Sequence, residues 1–109
     1  MELPAKKILI VDDEELNRIL LRDMVEHLGH VPVLARDGAQ ALALVDRTID
    51  LVLMDVQMPE MDGFETTAAI RELEKATDKH TLIIAMTAHA MKGDRERCLA
   101  AGMDDYLSK

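Results

Sequence analysis

The chain has 109 residues, 49% of them hydrophobic and 31% charged, which fits one domain around one core and leaves no room for a second. A net charge of −8 argues against nucleic-acid binding and against contact with anionic membranes, since both need a basic surface. The single cysteine excludes an internal disulfide and a cysteine-based zinc centre and fits a reducing, cytoplasmic setting; neither a signal-peptide pattern nor a bilayer-length apolar run is present.

Along the chain, short apolar runs alternate with segments of helical period, the pattern of a parallel sheet flanked by helices. Ile8 to Val11 is the first strand and stops on Asp12-Asp13. Leu16, Leu20, Met24 and Leu28 then recur every four residues, widened by Ile19 and Val25 into one apolar face expected to point inward, and Gly29 ends this helix. Val31 to Leu34 contains Pro32, which removes a ladder donor and predicts an edge strand. Asp37-Gly38 turns into a short helix through Ala39, Leu42 and Val45.

Leu51 to Met54 is apolar on both faces, as a central parallel strand requires, and stops on Asp55. After Pro59 and Asp62-Gly63 comes a helix over Phe64 to Lys75, with Phe64, Ile70 and Leu73 as inward candidates. Leu82 to Met86 is the fourth strand and stops on Thr87. His89 to Ala101 carries a thin stripe of Met91, Cys98 and Leu99 and is expected to be the least firmly held helix. Gly102 ends it, and Tyr106-Leu107 is a short fifth strand reaching Lys109.

Ligand sites in open α/β sheets form outside the carboxyl ends of the strands, where Asp12, Asp13, Asp55, Thr87 and Lys109 all fall. Clustered carboxylates repel one another unless a cation lies between them, and hard oxygen ligands suit Mg²⁺. Asp55 can also attack phosphorus; the metal and Lys109 would offset charge on the transferring group and Thr87 could bond one of its oxygens. Taken alone, the acidic run from Asp12 to Glu15 reads better as residues that cap the next helix and stabilise its N-terminus through the dipole; Asp55 and Lys109 complete the set and turn the balance. His27, His30, His80 and His89 read as isolated surface residues, and Cys98 as a small buried hydrophobe.

Four segments together resemble the receiver domain of two-component response regulators: Ile8 to Glu14, Met54 to Gly63, Met86 to Ala88 and Tyr106 to Lys109. The resemblance implies a flavodoxin-like, doubly wound five-stranded parallel sheet of order 2-1-3-4-5. It implies Asp55 as phosphoacceptor from a phosphohistidine partner, with Mg²⁺ (or Mn²⁺) held by Asp13, Asp55 and the backbone carbonyl of Gln57, and by Asp12 through water. Thr87 would turn toward the phosphoryl group, Tyr106 would swing inward behind it, and Lys109 would contact both Asp55 and the phosphoryl group. Catalysis would be directed at the chain's own phosphorylation and dephosphorylation, with output through the fourth helix and fifth strand.

The wording of the segments is similar to receivers of hybrid histidine kinases, which pass phosphate to a histidine phosphotransfer partner. Two other readings remain beside this one, a receiver that only binds proteins and a small aspartyl-phosphate phosphatase; the latter would want a carboxylate where Gln57 stands. A nucleotide or flavin module would need a glycine-rich loop after the first strand, where the acidic run lies instead. Receivers continue past the lysine into a fifth helix, which this chain lacks. The outer faces of the first, fourth and fifth strands are therefore expected to expose apolar surface, in a truncated receiver or in one that hides that face against a second copy.

Overall fold

Runs of Ile, Val and Leu, whose branched side chains pack well on a pleated surface, form five parallel strands. They are β1 (Lys7–Val11), β2 (Val31–Ala35), β3 (Leu51–Asp55), β4 (Leu82–Thr87) and β5 (Asp105–Ser108), in the spatial order β2-β1-β3-β4-β5. The helices are α1 (Glu15–His27), α2 (Gly38–Leu44), α3 (Gly63–Glu74) and α4 (Asp94–Ala100). The computed structural model describes residues 5–58, 61–77, 79–87 and 94–108. This is the flavodoxin-like architecture expected, with β3 in the middle and the proline-bearing β2 at an edge.

Helix ends follow local chemistry. Asp37 and Asp62 cap α2 and α3, accepting from the backbone N–H of Gln40 (2.7 Å) and Glu65 (2.8 Å). Gly29 and Gly102 take φ of 86° and 103° beyond the ends of α1 and α4, a left-handed conformation that costs a glycine little. Val45 is already extended, so α2 stops one residue before the predicted end.

The main core lies on one face of the sheet, where Leu9, Val11, Val52, Met54, Ile83 and Ala85 pack with Ala41, Ile70 and Cys98 from the helices. Cys98 is buried, as expected. The opposite face has a smaller cluster of Ile8, Ile10 and Val25, with Leu21, Leu34, Leu51 and Leu53 half-buried around it.

That second cluster corrects the predicted apolar face of α1 in part: its flanking members Val25 and Ile19 are buried and half-buried, but its spine is not. Leu16, Leu20, Met24 and Leu28 are 54–68% exposed, whereas Val25 is buried and Leu21 packs beside it. Successive residues rotate by about 100° around a helix. The inward stripe is therefore rotated from the Leu16 line toward its predicted edge at Val25, with Leu21 added, and these two residues lie over β1 and β2. Periodicity identified an apolar stripe but not the surface it faces. In α3, likewise, Leu73 is exposed and the inward positions are Thr66, Thr67 and Ile70.

The uncovered face is also only partly as predicted. On β4 and β5, Leu82 and Leu107 are 52% and 55% exposed, but Ile8 and Ile10 of β1 are buried beneath α1.

A polar cluster ties α3 to the start of β5. The Arg71 guanidinium donates to the Gly102 carbonyl (2.9 Å) and the Thr81 carbonyl (2.8 Å) and pairs with Glu74 (2.6 Å) and Asp104 (2.8 Å). Glu74 accepts the Thr81 N–H, and Asp104 accepts the Ile83 N–H and meets His80 at 2.7 Å. His80 is thus built into a network rather than isolated, and His30 accepts the Lys6 N–H at 2.9 Å.

Candidate functional site: an acidic cluster at the strand ends

Because the strands are parallel, their carboxyl ends share one edge, and the two central strands bring their terminal carboxylates together there. The chain leaves β1 through Asp12, whose N–H donates to the Ala35 carbonyl at 3.1 Å, so Asp12 still belongs to the ordered edge. Asp12 is fully buried and its Oδ1 accepts the Glu14 N–H at 2.9 Å; Asp13 is exposed. The N-cap of α1 is Glu14, which makes no side-chain capping bond, while Glu15 lies in the first turn, where its charge favours the helix dipole. On the neighbouring strand Asp55 is 2% exposed, and its Oδ1 accepts the Gln57 N–H at 3.2 Å.

Carboxylate oxygens of Asp12, Asp13 and Asp55 all lie within 4.8 Å of one another. At about 4 Å, two like charges repel by roughly 4 kcal/mol at the effective dielectric of a protein surface. Two of these three groups are buried, which strengthens the repulsion. A divalent cation reverses its sign, and a set of hard oxygens with no nitrogen or sulfur ligand fits Mg²⁺. The residues present therefore fit the metal.

Thr87 is buried at the end of β4, one residue after Met86, the cross-strand partner of Asp55. Tyr106 on β5 pairs with Ala85 and lies half-buried against the main core. The sheet order thus sets Asp12 and Asp13 on one side of Asp55 and Thr87, then β5, on the other. Lys109 lies outside the described residues.

Gly63 lets α3 start hard against this edge. Its N–H donates to the Val56 carbonyl at 3.0 Å, and a Cβ there would overlap the Asp55 carbonyl oxygen and stand 2.9 Å from Val56 Cα. Any side chain at this position would push on the backbone that carries Asp55.

Two arginines at the site were missed in the sequence. Arg18 Nη1 donates to the Asp12 carbonyl at 2.7 Å, fixing the turn from β1 into α1. Arg97 of α4 lies over the Phe64 ring, 5.1 Å from its centroid. No local motif marks either one, because each partner is reached only through the fold.

The family model for the response regulator receiver domain matches residues 8–109. Hybrid signal transduction histidine kinase I of Dictyostelium discoideum is 42% identical over 114 residues, covering 99% of this chain but 7% of that protein. The polar-differentiation response regulator DivK of Brucella ovis is 43% identical over 106 residues, covering 96% of this chain and 85% of DivK. Among solved structures, the receiver domain of the Arabidopsis thaliana histidine kinase CKI1 complexed with Mg²⁺ and BeF₃⁻ matches with a TM-score of 0.86 and 33% identity, over 94% of this chain and 80% of that one. The co-crystal structure of the Saccharomyces cerevisiae histidine phosphotransfer protein Ypd1 with the receiver domain of Ssk1 matches with a TM-score of 0.89 and 28% identity, over 100% and 81%. This chain thus spans a small fraction of the hybrid kinase and most of DivK. Among the described residues no helix is long and apolar enough to cross a membrane.

Proposed function

The chain belongs to the response regulator receiver domain family, and on that premise we propose that it is a Mg²⁺-dependent phosphoacceptor in a phosphorelay. The observation that carries this reading is the convergence of Asp12, Asp13 and Asp55 at one sheet edge, with Asp55 buried on the central strand. An Asp55 oxygen attacks the phosphorus of a phosphohistidine; the P–N bond breaks and its electron pair stays on the imidazole. Asp13, Asp55 and the Gln57 carbonyl would hold the metal, with Asp12 behind them through water, and the bound ion supplies positive charge to the transferring group. Thr87 hydrogen-bonds a phosphoryl oxygen, Lys109 contacts another, and Tyr106 moves inward as Thr87 turns. The signal is then a population shift read on α4 and β5.

The phosphoryl donor is a histidine kinase or a histidine phosphotransfer protein, and a hybrid histidine kinase as parent is supported by the Dictyostelium relative. The exposed stripe Leu16, Leu20, Met24 and Leu28 on α1 starts three residues after Asp13 and offers that donor an apolar docking face beside the site. With a labelled phosphorylated histidine phosphotransfer protein, the label should move to the chain only with Mg²⁺ and not to Asp55→Asn. Leu20→Glu should slow transfer by about tenfold, the effect of removing one anchoring side chain. Label arriving on Asp55→Asn, or arriving in chelator, contradicts the reading.

Leu82 and Leu107, with half-buried Leu51, Leu53 and Ile84 beside them, form an open apolar sheet face that a second copy would cover. Light scattering should give the mass of a dimer, and Leu107→Glu should return a monomer. A parent chain that is monomeric throughout rules this association out.

A further inference from the structure

On the β4 side of Asp55, away from Asp12 and Asp13, a cavity of about 420 Å³ opens between the start of α3 and α4. Gln57, Thr87, Phe64 and Arg97 are among the residues that line it. Asp55 adjoins it through Val56, the next residue in the chain, and through Thr87, which follows the cross-strand partner of Asp55; both line the space. The cavity is therefore continuous with the position a phosphoryl group on Asp55 would occupy.

Its charge is unusual for this chain. Arg97 is exposed and lies over the Phe64 ring, and among the described residues no carboxylate pairs with it. Asp62 also lines the cavity, but its carboxylate is engaged in capping α3 at the Glu65 N–H. An apolar ring carrying an uncommitted guanidinium suits a small organic anion.

We infer that this cavity is the leaving-group site for small acyl phosphates, with Arg97 receiving the carboxylate that departs; the inference rests on Asp55 being the phosphoacceptor. In the in-line step an Asp55 oxygen forms a bond to phosphorus while the bond from phosphorus to the acyl oxygen breaks. The electron pair leaves on that oxygen, giving a free carboxylate that takes no proton near neutral pH. Negative charge grows on the departing group as the bond lengthens, next to a site already crowded with carboxylates. A guanidinium beside it stabilises the transition state more than the ground state. A donor that departs as neutral ammonia develops no such charge.

The test compares acetyl phosphate with phosphoramidate as donors to the full chain in Mg²⁺, following the adduct by intact mass. In Arg97→Gln the ratio of the acetyl phosphate rate to the phosphoramidate rate should fall by about tenfold, less than the roughly 100-fold that a buried oxyanion donor costs because Arg97 is exposed. Arg97→Lys, which keeps the charge, should restore most of the ratio. A ratio that does not change in Arg97→Gln overturns the assignment of Arg97 while leaving Asp55 as acceptor intact. Failure of the unmodified chain to form an adduct with either donor overturns both.

Discussion

Replacing Arg71 by alanine is expected to lower the unfolding free energy by about 3 kcal/mol, the cost of removing one partner from a largely buried ion pair. Arg71 is 18% exposed and its two carboxylate partners, Glu74 and Asp104, are 15% and 28% exposed. Truncation leaves Glu74 without its cation and Asp104 with His80 alone, and removes the Arg71 donor from the Gly102 and Thr81 carbonyls. The exposed Lys75–Glu72 pair, at 74% and 73%, provides the contrast, since pairs of that kind are worth about 0–1 kcal/mol. Urea unfolding of Arg71→Ala and Glu72→Ala should therefore differ by more than about 2 kcal/mol. Equal midpoints would show that the Arg71 cluster contributes no more than a surface pair.

The same cluster sets an acid limit. Burial alone would raise the Asp104 carboxyl, but hydrogen bonds from His80 and the Ile83 N–H and the charges of His80 and Arg71 outweigh it and hold Asp104 below its ordinary 3.8. Burial also opposes ionisation of Glu74, and is overcome by the Thr81 N–H and by Arg71, so its carboxyl lies below its ordinary 4.5. Both groups are depressed on folding. Their stabilisation is complete above those ordinary values and is lost as pH falls through the depressed ones. Arg71→Ala should accordingly lose stability less steeply than the parent on acidification below about pH 4.5.

What the sequence revealed and what it hid divide along a physical line. Strand ends were legible because a continuous Ile, Val and Leu run broken by one polar residue marks where a buried parallel strand meets solvent, and three such breaks sufficed to place Asp12, Asp55 and Thr87 at one edge. The edge position of β2 followed from Pro32 and the central position of β3 from its two-sided apolarity. The face of α1 was not legible, because that helix carries more apolar residues than the sheet beneath it covers. Val25 was placed on that face correctly, but burial of Leu21 rather than Leu20 and Met24 depends on how the helix sits over Ile8 and Ile10. Arg71 and Asp104 stand 33 residues apart, and no local pattern pairs them. Arg97 is in the same class, since its stacking on Phe64 exists only once α3 and α4 are side by side.

The largest functional effect is expected at Asp55. Its carboxylate is the buried member of the acidic cluster on the central strand, and its replacement by Asn keeps the volume while removing the proposed nucleophile and one proposed metal ligand. Asp12→Asn and Asp13→Asn should weaken Mg²⁺ binding and slow phosphorylation while leaving the acceptor oxygen in place. Asp55→Asn should abolish the aspartyl phosphate outright. Treatment with a phosphodonor in Mg²⁺, followed by borohydride reduction and peptide mass spectrometry, distinguishes these outcomes by residue. Reduction converts a phosphorylated aspartate to homoserine, and the account predicts that change at Asp55, dependent on Mg²⁺ and absent from Asp55→Asn. Homoserine at Asp12 or Asp13 instead, or at no residue of the Mg²⁺-loaded parent, would contradict it.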